Sequence, residues 1–128
     1  MNQIKIIMKE ALKDRYDYYV KQLSLLRQMI TNLSQRHVLF RNKCEACLIT
    51  RLLNLRRLKN LRESMQDVYS SFDELATKRT FLWGMISKAY QDDDQYINET
   101  FDQVYLDIDS IKEKLQEVDK FLRTIEKK

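Results

Sequence analysis

Large apolar side chains recur every three or four residues along nearly the whole chain, and this spacing constrains the fold more than any other feature. One clean run is Tyr19, Leu23, Leu26, Ile30, Leu33, His37, Phe40, Cys44 and Cys47, with steps alternating between four and three. A second is Ile97, Phe101, Val104, Ile108, Ile111, Leu115, Val118, Leu122 and Ile125. A strand repeats every two residues, so both runs predict helix, and the 3.5-residue mean predicts a coiled coil. Between them the stripe continues less regularly through Leu48, Leu52, Leu55, Leu58, Leu61, Met65, Val68 and Phe72. It then passes to Leu75, Leu82, Ile86 and Tyr90.

Composition agrees. The 128 residues include no proline and one glycine, Gly84. A β-rich chain of this length needs glycine-containing turns that are absent here. Charged residues make up 33% and apolar residues 44%, which suits solvated helix faces around an apolar seam and is too apolar for disorder. The expectation is an all-α fold with one domain spanning residues 1–128.

A single helix of this length would extend roughly 190 Å, so a break is expected. Ser71 followed by Glu74 forms a capping-box pattern, and Asp73 adds negative charge to the same turn. Pairing the two clean stripes antiparallel gives residue-number sums of 144 for Tyr19 with Ile125, Leu26 with Val118 and Cys47 with Ile97. The midpoint falls at Phe72. Charge points the same way: residues 36–62 hold eight Lys/Arg and one Glu, whereas residues 91–118 hold nine Asp/Glu and two Lys. In this register Arg51 falls near Asp93 and Arg41 near Asp102. These signals predict two long antiparallel helices forming a coiled-coil hairpin, with its turn near residues 66–73.

Little in the sequence suggests catalysis. Cys44-Glu-Ala-Cys47 is one C-x-x-C with His37 on the same stripe, whereas a structural zinc site wants four ligands. Small apolar cysteines filling seam positions are the expected reading. Asp92-Asp93-Asp94 lacks the glycine of a calcium loop and reads as a solvated acidic face, and Asp107 and Asp109 flank a seam position. No nucleophile–base pair stands out, so no enzyme activity, metal, cofactor or small-molecule substrate is expected. The start of the chain lacks the apolar core of a secretory signal, and no run approaches a membrane span, which predicts a cytoplasmic protein.

Arg51 to Arg62 is the most distinctive segment, with leucines at 52, 55, 58 and 61 set among basic residues. Such a helix suits nucleic acid, an anionic membrane surface or an acidic protein; a net charge of only +4 disfavours general nucleic-acid binding. Tyr16, Tyr18, Tyr69, Phe81, Trp83 and Tyr90 add more aromatic surface than a two-helix seam needs.

The segment Phe72 to Leu122 resembles the YscO/FliJ family of type III secretion and flagellar export stalks. Phe72-Asp-Glu-Leu-Ala-Thr-Lys-Arg-Thr-Phe-Leu looks like its aromatic–Leu–Lys/Arg–Leu opening. Phe101-Asp-Gln-Val and Ile111-Lys-Glu-Lys-Leu115 look like its closing patterns, while Asp107 and Asp109 depart from the lysine-rich run that often precedes them. The resemblance implies a coupling protein, peripheral to the inner-membrane secretion apparatus, whose paired chain ends insert into a hexameric export ATPase. By that reading Lys5, Lys9, Lys13, Lys112, Lys120 and Arg123 contact the ATPase. Arg56, Arg57, Arg62, Tyr69 and Phe72 lie toward the hairpin tip, facing the export gate. The competing expectations are a secretion chaperone or adaptor and, with less support, a nucleic-acid-binding coiled coil.

Overall fold

A computed structural model describes the backbone of residues 2–87 and 94–126, and the side chains of residues 10–87 and 95–126. All described elements are helices: α1 (Asn2–Glu45), α2 (Leu48–Leu53), α3 (Leu55–Ser87) and α4 (Asp94–Glu126). No helix among the described residues is long and apolar enough to cross a membrane.

The long helices run up, down and up. Tyr19 donates its hydroxyl proton to the Leu75 carbonyl and Ser34 pairs with Tyr69, so residue numbers on α3 fall as those on α1 rise. Lys78 meets Asp107 at 3.0 Å and Lys114 meets Asp67 at 3.1 Å, which sets α4 antiparallel to α3. Arg15 binds Asp102 at 2.6 Å and Arg36 binds Asp119 at 2.5 Å, so α4 runs parallel to α1.

The all-α class is present, and so is an antiparallel hairpin, but as α1 against α3. The 19–47 and 97–125 stripes, expected to pair antiparallel, run parallel. The turn of the hairpin also corrects the expectation. It lies at residues 46–54, while residues 66–73 sit inside α3. Ser71 caps nothing there, and its hydroxyl takes a hydrogen bond from Lys114. Phe72 is buried, with the Arg27 guanidinium 5.7 Å from its ring centre. Two helices would share one narrow seam, whereas three let each stripe face two neighbours and remove more apolar area from water.

All nine positions from Ile97 to Ile125 are buried, as are Tyr19 to Leu33 on α1 and Leu61 to Leu75 on the α3 stripe. They form one continuous core. The polar exception is Gln22, whose buried Oε1 has no hydrogen-bond partner among the described residues.

Charge pairing differs from the expectation too. Asp102 belongs to Arg15, which also donates to Asn98 at 2.5 Å, and Arg41 forms no ion pair among the described residues. Asp93 lies outside the described residues. Arg36 bridges Asp119 and Glu126. Its hydrogen bond to Asp119, followed by the neighbouring Arg123, holds the Asp119 carboxyl below its ordinary pKa.

Candidate binding surface

The α1–α3 turn contains neither proline nor glycine, and it is built from hydrogen bonds around Cys47 and Asn54. The last turn of α1 closes with the Ala46 amide donating to the Asn42 carbonyl at 3.1 Å. Cys47 is then extended (φ −139°, ψ 127°), which ends the helix, and its carbonyl accepts the Arg51 amide at 2.9 Å to begin α2. Asn54 closes α2 by donating its amide to the Thr50 carbonyl at 3.1 Å and its side-chain Nδ2 to the same oxygen at 2.8 Å. The Asn54 carbonyl accepts the Leu58 amide, opening α3, and Oδ1 accepts from Arg57 at 3.2 Å. Asparagine suits this position because its short amide bonds nearby backbone outside a regular helix.

This corner holds α2 away from the core, and none of its residues is buried. Leu48 and Ile49 are each 68% exposed, Leu53 is 78% exposed, and Leu52 and Leu55 are also open. Leu39 and Val38 on α1 are exposed as well, lining a separate groove with Ile30 and Tyr69. Basic residues surround the α2 surface. Arg41, Lys43, Arg51, Arg56, Lys59 and Arg62 form no ion pairs among the described residues. Two shallow grooves flank α2. One, of about 540 Å³, lies between Arg41, Arg51, Leu55 and Arg62; the other, of about 600 Å³, lies between Phe40, Leu53, Arg57 and Ile125.

Burial and local hydrogen bonds shift the pKa of three side chains here. His37 is half-buried, and desolvation followed by repulsion from Arg41 lowers its pKa. Cys47 is exposed, and hydrogen bonds from Thr50 and Ile49 lower the pKa of its thiol. Cys44 is buried, and desolvation raises its thiol pKa. Cys44 therefore fills a core position as expected, whereas Cys47 lies off the seam. Among the described residues no group of three or more His, Cys, Asp or Glu side chains could hold a metal. Because the thiolate is the reacting form, Cys47 is expected to alkylate at least ~10-fold faster than Cys44 in the folded protein, as read by peptide mass spectrometry. Equal rates would contradict this arrangement.

No protein-family model, curated protein or solved structure matches the chain. The corner's chemistry therefore carries the functional argument.

The residues expected to meet an ATPase do not share an end. Lys5 and Lys9 lie near the start of α1, and their side chains fall outside the described residues; Lys13 is exposed on the same helix. Arg123 and Lys120 are exposed near the end of α4, and Lys112 is half-buried nearer its middle. Arg36 bonds Glu126, so the end of α4 lies beside residue 36 of α1. At about 1.5 Å per residue, that is roughly 50 Å from the start of α1. The parallel course of α1 and α4 separates the two groups.

Of the expected tip residues, Arg56, Arg57 and Arg62 do lie at or near the observed corner. Tyr69 is partly exposed and bonded to Ser34, and Phe72 is buried; both sit in the middle of α3. Sequence reasoning missed Val38, Leu39, Ile49 and Leu53. A signal was present: residues 48–55 hold five large apolar side chains, at 48, 49, 52, 53 and 55, more than one helical stripe accommodates.

The aromatic residues gather toward the other end. Trp83 packs on Tyr16 with ring centres 5.1 Å apart, and Tyr18 meets Tyr105 edge-on at 5.4 Å. Phe81 is left exposed, and Tyr90 lies outside the described residues.

Proposed function

We propose that the chain has no catalytic activity of its own and works as an elongated helical adaptor, docking through its α1–α2–α3 corner. The supporting observation is the concentration of exposed leucine and isoleucine side chains beside cations without ion-pair partners. Scattered exposed apolar residues are ordinary, but a contiguous patch with a charged rim marks a contact surface. In cells whose own copy is replaced, Ile49→Ser with Leu53→Ser is expected to abolish the chain's function while helix content stays unchanged. Full function in that variant would remove the proposal.

The second reading is the export-ATPase stalk implied by the resemblance, supported by the length of α1, α3 and α4. Its ATPase contacts are reduced to Lys5, Lys9 and Lys13, because Lys112, Lys120 and Arg123 lie away from the start of α1. In that form the corner with Arg56, Arg57 and Arg62 faces the export gate, and the Lys5, Lys9 and Lys13 end meets the hexameric ATPase. Stimulated ATP hydrolysis by a hexameric export ATPase, lost on Lys13→Glu, supports the stalk. No binding to such an ATPase excludes it and leaves the adaptor proposal standing.

A further inference from the structure

We infer that the α2 corner docks onto an anionic lipid surface, a partner class that rests on the adaptor reading above. Projected at about 100° per residue, Leu48, Leu52, Ile49 and Leu53 fill a continuous arc of about 140° on α2. Thr50 and Arg51 occupy the other side of α2, each about 60° beyond one edge of that arc. Thr50 is half-buried toward the bundle and Arg51 is exposed. The outward face is therefore apolar and its flank cationic, the arrangement of helices that lie in a membrane interface. Arg56, Arg57 and Lys59 continue the cationic collar onto α3, and Arg41 and Lys43 onto α1. Residues 36–62 contain one acidic residue, Glu45, which lines the groove with Arg41 and Arg51. The acidic end of α4 is engaged by Arg36, so the collar keeps an excess of positive charge for lipid phosphates.

Other occupants fit less well. A second copy would bring two basic collars together, and like charges suppress that association. Nucleic acid has no use for exposed leucines, and this corner lacks the exposed aromatics on which bases stack. A partner helix laid in a groove covers a narrower apolar stripe than this arc. A bilayer is fluid and covers all of it.

The test uses the full chain and vesicles of phosphatidylcholine, alone or with about a third phosphatidylglycerol, compared by flotation at low salt. Binding is expected to be at least ~10-fold stronger to the anionic vesicles and to weaken near 1 M salt, where the Debye length is about 3 Å. Arg56→Glu with Arg57→Glu, and separately Ile49→Ser with Leu53→Ser, should each reduce binding at least ~10-fold with helix content unchanged. An environment-sensitive fluorophore on Cys47 should shift to the blue on anionic vesicles, whereas one introduced at Lys13→Cys, in a chain with Cys47→Ser, should not. Equal binding to both vesicle types, or binding unaffected by the leucine–isoleucine substitutions, would overturn the lipid assignment. Failure to bind vesicles while an acidic amphipathic peptide binds the corner would also overturn it, and would leave the adaptor proposal intact. Failure to bind either, with Ile49→Ser/Leu53→Ser fully functional in cells, would remove both.

Discussion

Ser70→Pro is expected to destabilise the protein by about 3 kcal/mol or more, whereas Leu48→Pro should cost less than about 1 kcal/mol. Ser70 is exposed, so its side chain contributes little packing and the comparison isolates the backbone. It lies in the interior of α3, where proline removes an amide donor and its ring meets the preceding turn. Leu48 is the first residue of α2, where proline's missing donor is one the helix leaves unpaired in any case. The preceding Cys47 is already extended, the conformation a following proline favours. Denaturant midpoints of the two variants measure the difference. A hairpin turning at residues 66–73 would reverse the order, because Ser70 would then lie in a turn and Leu48 within a long helix.

Tyr19→Ala is expected to cost about 3–5 kcal/mol, the range for emptying a fully buried aromatic site. Tyr19 is fully buried, and its hydroxyl reaches the Leu75 carbonyl, joining α1 to α3. Tyr19→Phe keeps the ring and loses one hydrogen bond, so its cost should be about 1 kcal/mol. The two substitutions also separate at alkaline pH. Burial, followed by the neighbouring Tyr16, pushes the Tyr19 pKa from 10.0 to about 12. A raised folded-state value gives stability that is complete below pH 10, where the unfolded tyrosine begins to ionise. That contribution is lost as pH rises through about 12. Tyr19→Phe should therefore lose less stability than the native chain over this window. Identical alkaline profiles for the two would contradict the buried placement of the hydroxyl.

The helical class was legible because the stripes are long, regular and free of proline. The Ile97–Ile125 stripe marked the inward face of α4 at every position. The direction of pairing was not legible, because regular heptads match in more than one way. Tyr19 with Val104, Leu26 with Ile111 and Leu33 with Val118 differ by a constant 85, so a parallel pairing is as regular as the antiparallel one that sums to 144. The ion pairs Arg15–Asp102 and Arg36–Asp119 follow the parallel course. Opposed net charge along two segments could not reveal this, since it gives attraction without direction.

The turn was misplaced for a related reason. Ser71 and Glu74 satisfy the capping pattern, yet Phe72 between them is a core residue, and its burial keeps the helix running through. The actual turn depends on Asn54 bonding to Thr50, a local arrangement with no strong sequence signature. The basic half of the binding corner was visible in Arg56, Arg57 and Arg62. Its apolar half was hidden because Leu48, Leu52 and Leu55 keep core spacing while the α1–α3 turn carries them outward.

The course of α4 relative to α1 is the central claim, and a distance between labels at Asp17 and Thr124 tests it most directly, in a chain with Cys44→Ala and Cys47→Ser. Both positions are exposed, and Thr124 lies near the level of residue 36 on α1. With about 1.5 Å of rise per residue and helix axes 8–10 Å apart, the bundle predicts a Cα separation of roughly 30 Å. The Gln35–Thr124 pair should fall near 10 Å by the same geometry. A separation near 10 Å for Asp17–Thr124, with Gln35–Thr124 beyond about 20 Å, would instead place α4 antiparallel to α1 and contradict the three-helix fold.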